Sequence, residues 1–127
     1  MTHDETFARA LELRREMFGA LTEAHLANVD DFTRDLQDLV TTYCFGAVWA
    51  REGLPRTIRS MLTIAILATQ GRQEELRWHV KGAIANGVSR EEIKEVLLHT
   101  AVYAGIPAGV SGTFAARDVL AELDGEA

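Results

Sequence analysis

The sequence predicts an all-α protein of about six helices. Apolar residues recur at intervals close to 3.6 along most of the chain, and no segment alternates apolar and polar residues as a half-buried strand would. Glycine, proline and capping residues divide this pattern into segments of helical length. The 127 residues have the size of one domain and can bury a core without disulfides. We therefore expect a single domain over residues 1–127.

The first helix is predicted from about residue 4 to residue 18, and Gly19 ends it. Its apolar positions fall on related turns, and one charged residue, Arg14, falls among them. Residues 20–29 are expected to form a connecting loop. The apolar positions of this helix are Phe7, Leu11, Met17 and Phe18.

A second helix is predicted from Asp30 or Asp31, either of which can accept hydrogen bonds from free backbone N–H groups. It ends at Gly53. The residues that recur on one face of this helix are Phe32, Leu36, Leu39, Val40, Tyr43 and Ala47.

The third helix begins near Pro55, because the first turn of a helix tolerates proline. It is apolar almost all round over residues 61–68, which is typical of a helix in the middle of a fold. Gly71 closes it. The sequence therefore places this helix at the centre of the core.

Three further helices complete the chain. The fourth covers about 73–85 and ends at Asn86-Gly87, a pair suited to the left-handed position after a helix. Ser89 and Glu92 have the spacing of a capping box for the fifth helix. That helix stops at Gly105-Ile106-Pro107, and the last helix runs to about residue 123.

Charge and cysteine content restrict the cellular setting. The net charge is −6, but the segment from Arg51 to Lys94 has eight bases and five acids, hence +3, and the remainder is −9. A basic middle favours an anionic ligand, nucleic acid or simply a solvated surface. One cysteine, Cys44, and an acidic N-terminus without a signal-peptide pattern favour the cytoplasm. The longest weakly charged run, 60–70, is too short to span a bilayer, so no membrane association is expected.

Glu75 and His79 are the first candidate catalytic pair. Their spacing of four places them on one face of the fourth helix. A carboxylate beside an imidazole orients the ring and raises its pKa, which makes the pair suitable for general acid/base catalysis. An ordinary surface contact gives the same spacing, and spacing alone favours that interpretation.

Arg59 and, one turn earlier, Arg56 are candidates for anion binding. A guanidinium at the boundary of a buried run is costly unless it meets an anion, and its planar fork fits a carboxylate. Either an acidic side chain of the protein or a bound acid could supply that anion. The residues alone favour an internal salt bridge.

Other chemistries have weaker support. Tyr43, Trp49 and Tyr103 could line a pocket, although aromatic residues at helical spacing are more often core. His99 is expected on the surface or at an interface. Phosphate-loop, dinucleotide and nucleophile-elbow motifs are absent from the sequence, and its four histidines have no metal-ligand spacing, so neither a metal nor a cofactor is expected.

An ordered set of segments resembles the carboxymuconolactone decarboxylase family over about two-thirds of the chain. These segments are Gly53 to Thr63, Gly71 to His79, Asn86 to Val88, Glu91 to Leu98 and Ala101 to Ala108, with a looser match upstream over Asp35 to Asp38 and Tyr43 to Trp49.

The resemblance implies an activity and its residues. It implies an alkylhydroperoxidase D-like helical fold and a homo-oligomer, expected to be a hexamer. It also implies cofactor-independent loss of carbon dioxide from 4-carboxymuconolactone or a related unsaturated lactone acid to give an enol-lactone, in protocatechuate and 3-oxoadipate breakdown. The substrate is its own electron sink. The implied roles are proton donation by His79, control of its protonation by Glu75, anion binding by Arg59 and Arg56, and oxyanion stabilisation by Tyr103.

The sequence also departs from these families. Alkylhydroperoxidase D-like proteins resemble it in the position of the histidine, but Arg72 and Glu75 stand where their two cysteines would be, which removes dithiol chemistry. Phe45, Ala47 and Val110 occupy positions where the decarboxylase pattern has Trp, an acid and Asn. These departures place the specific substrate in question and leave a non-catalytic oligomeric scaffold as the alternative function.

A nucleic-acid-binding module is a further class. The fourth helix, the turn at 86–89 and the fifth helix superficially resemble a helix-turn-helix. The second of these helices, however, begins Arg90-Glu91-Glu92 and has Glu95 on its next turn, which would repel phosphates. We therefore expect a small carboxylate substrate and no nucleic acid.

Overall fold

A computed structural model describes residues 2–126, and these residues form helices with no strand. Among them, no helix is long and apolar enough to cross a membrane. The prediction of an all-α protein is confirmed. The helices are α1 (His3–Phe18), α2 (Ala20–Ala27), α3 (Arg34–Leu39), the π segment (Val40–Trp49), whose backbone is π-helical, α4 (Arg56–Gln70), α5 (Gln73–Ala85), α6 (Arg90–Ala104) and α7 (Ile106–Glu126).

The chain divides into two compact units. The first unit extends to Leu54 and the second unit begins at Pro55. Each has its own set of buried residues, and each is described by itself below. The expectation of a single domain over 1–127 stays a prediction.

The first unit is built around α1. The Thr2 hydroxyl accepts a hydrogen bond from the Glu5 backbone N–H, and the Glu5 carboxylate accepts one from the Thr2 N–H, so a capping box starts the helix. Residues 20–29 were expected to form a loop, and that expectation was wrong, because α2 occupies most of them. The buried Thr22 hydroxyl of α2 donates to the Arg14 carbonyl at 2.9 Å and attaches α2 to α1.

The second predicted helix begins at Arg34, later than the expected Asp30 or Asp31, and its backbone hydrogen bonds change from the α to the π pattern at Val40. Asp30 Oδ1 accepts from the backbone N–H and the hydroxyl of Thr33 and so stabilises the turn that precedes α3. The N-cap of α3 is Thr33, without a side-chain cap hydrogen bond, so the expected cap at Asp30 or Asp31 was wrong. After α3 the backbone becomes π-helical for ten residues and packs against α1. The apolar face predicted here is largely exposed, with Phe32 at 95%.

In the second unit α4 and α7 each pack against the other three helices. The expectation that α4 is buried at the centre of the core was wrong in part, because only Ser60, Ile64 and Ala68 of this helix are buried, whereas Leu62 and Ile66 are exposed.

Pro55 is the N-cap of α4 and Gly71, in the left-handed conformation at φ 70°, ends it. The Ser89–Glu92 capping box of α6 is confirmed. The core of this unit consists of Ile64, Ala68, Leu76, Val80, Ala83, Val88, Ile93, Leu97, Ala116 and Val119.

Helices α6 and α7 approach each other closely at Gly109. A Cβ atom on this residue would lie 2.4 Å from the Ala101 Cβ, a distance that requires displacement of the helix. The break between the two helices at Gly105 matches the predicted one, and Gly105 has φ 107°. These glycines allow α7 to cover the core against which α4 and α5 also pack.

Candidate active site

Helices α4 and α5 carry the predicted catalytic residues of the second unit. A two-residue turn, Gly71-Arg72, joins them, and the start of α4 is bonded to the residue that ends α5, so the two helices are antiparallel. Glu74 and Glu75 lie in the first turn of α5, where the helix dipole favours negative charge. The sequence therefore builds α5 with its carboxylates at one end.

His79 is half-buried on α5, and its Nδ1 atom is buried. Burial lowers the pKa of His79 to about 4, and the charge of Glu75 opposes this shift only in part. The expected rise in the pKa of His79 was wrong in its net direction, because loss of hydration outweighs the attraction of the exposed Glu75 carboxylate. At neutral pH the free protein therefore holds an uncharged imidazole.

Arg59 is half-buried on α4 and lacks an ion pair among the described residues. Its Nε–H is buried and has no hydrogen-bond acceptor in that part of the chain. The interpretation that the residues favoured, an internal salt bridge, was therefore wrong for residues 2–126. A buried N–H of a charged group without an acceptor costs roughly 1–3 kcal/mol, which a bound carboxylate would offset.

Arg56 belongs to a chain of hydrogen bonds between the two helices. Its Nε donates to Asn86 Oδ1 at 2.9 Å, and Asn86 Nδ2 donates to the fully buried Ser60 Oγ at 2.9 Å. Sequence reasoning assigned Asn86 only to helix termination and did not identify Ser60. A signal was present, because Asn86 follows His79 by seven residues, two helical turns, and so shares its face of α5.

Tyr103 lies at the end of α6, and its side chain is 81% exposed. Its ring packs on His99, with the centroids 4.9 Å apart, and no contact with Glu75 or Arg59 is among its described interactions. His99 is exposed, as expected. The role of Tyr103 as an oxyanion donor stays a prediction.

Tyr43 and Trp49 lie on the π segment of the first unit. Tyr43 is exposed, whereas Trp49 is buried and stacks on Phe45 with a centroid distance of 6.2 Å. Phe45 also meets Phe18 edge-on at 5.9 Å. Trp49 is thus part of the packing of this unit, and the substrate-binding roles of both residues stay predictions.

The largest cavity described in the second unit is a groove of about 550 Å³ between α4 and α6. We call it the α4–α6 groove. Its α4 side is apolar and includes Ile58 and Leu62, and its α6 side carries three carboxylates and His99. Arg59 and His79 do not line it. The carboxylates are those of Glu91, Glu92 and Glu95.

Metal-ligand clusters were not expected from the sequence. Within residues 2–126 no group of three or more His, Cys, Asp or Glu side chains is arranged to hold a metal ion. The candidate residues on α4 and α5 supply two guanidinium groups, an imidazole and a carboxylate. Such a set can bind an anion and transfer a proton.

Comparison with known proteins gives a consistent result. Residues 34–118 match the model of the carboxymuconolactone decarboxylase family. The chain is 39% identical over 127 residues to 4-carboxymuconolactone decarboxylase of Acinetobacter baylyi, covering 97% of this chain and 92% of that protein. It is 36% identical over 122 residues to nitrosuccinic acid decarboxylase npaB of Metarhizium robertsii, covering 95% of this chain and 85% of that protein.

Proposed function

Because this chain belongs to the carboxymuconolactone decarboxylase family, we propose that it decarboxylates 4-carboxymuconolactone or a related unsaturated lactone acid without a cofactor. That the chain is a decarboxylase, a carboxy-lyase, follows from its similarity to two decarboxylases over nearly its whole length. The substrate and the residue roles are the proposal. The enol-lactone product would enter the breakdown of aromatic compounds, in the cytoplasm.

The two relatives are named for substrates with a shared chemistry. Each substrate has two carboxylates, and each can delocalise the electron pair that loss of carbon dioxide leaves behind. In 4-carboxymuconolactone the pair moves through the ring double bond to the lactone carbonyl oxygen, and in nitrosuccinic acid it moves into the nitro group. The protein must then bind the anions, stabilise the developing charge and deliver a proton.

Arg59 carries the proposal. Its guanidinium has no carboxylate partner among the described residues, and its Nε–H is buried without an acceptor. A substrate carboxylate that accepts from Nε and one terminal nitrogen would supply both the counter-charge and the missing acceptor. Arg56 lies on α4 one turn before Arg59 and donates a hydrogen bond to Asn86. It adds positive charge to the same helix.

His79 is the proposed proton donor. The imidazole is neutral in the free protein at pH 7, since its pKa is about 4. A bound dianion adds negative charge nearby, which raises this pKa, so substrate binding takes up a proton. After the carbon–carbon bond breaks and carbon dioxide leaves, the dienolate takes that proton at the ring carbon next to the carbonyl. His79 returns to its neutral form and product leaves.

Glu75 has a supporting role in this scheme. Its charge already opposes the depression of the His79 pKa, so it stabilises the imidazolium that substrate binding creates. Tyr103 is proposed as a donor to the lactone oxygen, and Tyr43 and Trp49 as residues that contact the substrate. For Tyr103 this role requires that substrate or another subunit approach an exposed ring.

We also propose that the protein is a homo-oligomer, and by resemblance a hexamer. Large apolar side chains are exposed in each unit, among them Phe32 and Val102. Assembly would bury part of this surface. Light scattering should give a mass near six times 14.0 kDa at micromolar concentration; a stable monomer would remove the proposal.

Release of carbon dioxide from wild-type protein tests the proposed function. The substrates should include 4-carboxymuconolactone, related unsaturated lactone acids and nitrosuccinate, each compared with its spontaneous rate. We expect the highest kcat/KM with a lactone acid, unaffected by a chelator. If the protein turns over nitrosuccinate alone, nitro acids and not lactone acids are its substrate class. If it turns over none of these substrates, the proposal is contradicted.

A further inference from the structure

Arg14 of the first unit is a charged side chain in a buried position that the proposed reaction does not use. It is only 4% exposed, among the apolar residues of α1. No carboxylate of residues 2–126 forms an ion pair with it. A buried charge without a counter-charge is costly by several kcal/mol in general, so its presence calls for an explanation.

The described contacts of Arg14 satisfy only part of its hydrogen-bonding capacity. Nη1 donates to the buried Thr41 hydroxyl at 2.8 Å, and Nη2 donates to Gln37 Oε1 at 3.3 Å. The guanidinium carbon lies 5.7 Å from the centre of the Phe45 ring. Nε–H is buried and has no acceptor among the described residues. An arginine has five N–H donors, and every one of these partners is neutral.

The surroundings hold the guanidinium in place without neutralising it. The Thr22 hydroxyl donates to the Arg14 carbonyl, and the π segment supplies Thr41 and Phe45 as contacts of the guanidinium. Burial lowers the pKa of Arg14, and the nearby Cys44 opposes this shift. The group nevertheless stays protonated at neutral pH, because the pKa of arginine is so high.

We propose that Arg14 is the centre of a second anion site, which binds the carboxylate of a small organic acid. The edge formed by Nε and Nη2 is the one available for two-point contact, because Nε–H lacks an acceptor and Nη2 has only a long bond to a half-buried amide. Gln37 would turn aside to admit the acid.

Cys44 is the alternative counter-charge for Arg14. As a thiolate it would pair with the guanidinium inside the protein and leave no place for a ligand. The geometry favours the carboxylate, because Nε–H has no acceptor among the described residues, the sulfur of Cys44 included. A thiolate would also be a single atom, whereas the fork of Arg14 offers two parallel N–H groups.

Titration with acetate tests the site directly. In ¹⁵N-labelled protein the Arg14 Nε–H resonance, assigned by its loss in Arg14→Lys, should move downfield and saturate with acetate but not with chloride at equal ionic strength. Arg15 is the matched control on the same helix, since its Nε already donates to Glu23 at 2.6 Å. Absence of a saturable shift at Arg14 would overturn the proposal.

Variants give an independent measurement. Arg14→Met should fold with unchanged or higher thermal stability, because an apolar side chain of similar volume replaces an uncompensated charge. Acetate should raise the melting temperature of wild type and of Arg15→Met but not of Arg14→Met. If Arg14→Met does not fold, Arg14→Lys should bind acetate at least fivefold more weakly; equal binding would overturn the proposal.

The same variants distinguish two sources of the carboxylate, the substrate and a separate organic acid. Only this comparison rests on the proposed function. If the substrate itself occupies the site, acetate inhibits competitively and Arg14→Met raises KM at least tenfold. If a separate acid occupies it, acetate changes the wild-type rate without competing with substrate, and Arg14→Met abolishes that change.

A wild type without turnover would contradict the proposed function alone, since acetate binding still decides this inference. Slower alkylation of Cys44 by iodoacetamide in Arg14→Met, with no response to acetate, would establish the thiolate instead.

Discussion

The two sides of α4 have opposite chemistry. One side carries Arg56 and Ser60, and both are bonded to Asn86 at the end of α5. The other side is apolar at Ile58 and Leu62, and it faces a row of carboxylates on α6 across the α4–α6 groove. Helical spacing separates Arg56 from Ile58, because residues two positions apart point about 160° apart around the axis. Arg59 is three positions from Leu62 and lies between the two sides.

This difference bears on where an anionic substrate binds. The α4–α6 groove has a volume of about 550 Å³, but its carboxylates would repel a dianion. Helix α4 carries Arg56 and Arg59, and α5, which is bonded to α4, carries the imidazole of His79. We propose that decarboxylation takes place at these residues, and each prediction below tests this proposal.

The largest expected effect is that of His79→Gln. The amide cannot donate the proton that the dienolate needs, so kcat should fall by roughly 10²–10⁴ while KM changes little. Steady-state release of carbon dioxide measures both. His99→Gln is the matched control in the α4–α6 groove and should stay within about twofold of wild type; a larger loss in this control would favour the groove.

Arg59→Met should act mainly on binding. The loss of a charge-assisted contact of about 1.5–3 kcal/mol corresponds to a rise in KM of roughly 10- to 150-fold. Arg77→Met is the control on α5, because Arg77 is already bonded to Glu122 at 2.6 Å and a surface pair contributes little. Equal effects of the two substitutions would show that net charge, and not the position of Arg59, determines binding.

The stability of the protein should depend on pH through His79. Its pKa is about 4 in the folded protein and about 6.5 when unfolded, so the unfolded chain binds one more proton between these values. Stability is therefore full above pH 6.5 and is lost as the pH falls towards 4, by about 3 kcal/mol in total. Denaturant titrations of wild type and His79→Gln at several pH values measure this; an identical pH dependence in both would refute the assignment.

The smallest expected effect belongs to Glu95→Gln on the α6 side of the groove. Removal of one exposed carboxylate weakens a repulsion that salt largely screens, so KM should fall by less than about twofold. Kinetics at low and at physiological ionic strength provide the measurement. A tenfold change in KM would mean that substrate binds in the α4–α6 groove.

Local signals predicted most of the helices, because they act within a few residues. The Ser89–Glu92 capping box and the break at Gly105 are where the sequence indicated. By contrast, α2 was missed because residues 20–27 have no strong cap: Gly19 precedes them and supplies no side-chain hydrogen bond. The π segment was also missed, since the choice between i+4 and i+5 hydrogen bonds depends on packing that the spacing of side chains does not reveal.

The sequence suggested residues for the candidate site, whose roles stay predictions, but not their energetics. The spacing of Glu75 and His79 and the position of Arg59 were readable from the chain. The direction of the His79 pKa was not, because it depends on how much water packing removes. The missing partner of Arg59 and the isolated charge of Arg14 likewise require the three-dimensional surroundings to be known.

The most direct test of the central claim is the stereochemistry of proton delivery. Wild-type protein should convert 4-carboxymuconolactone in deuterium oxide and the product should be analysed at once by NMR. If His79 of α5 delivers the proton, the carbon next to the carbonyl will carry one deuterium in a single configuration. Equal amounts of the two configurations would contradict the account, because the dienolate would then take its proton from solvent.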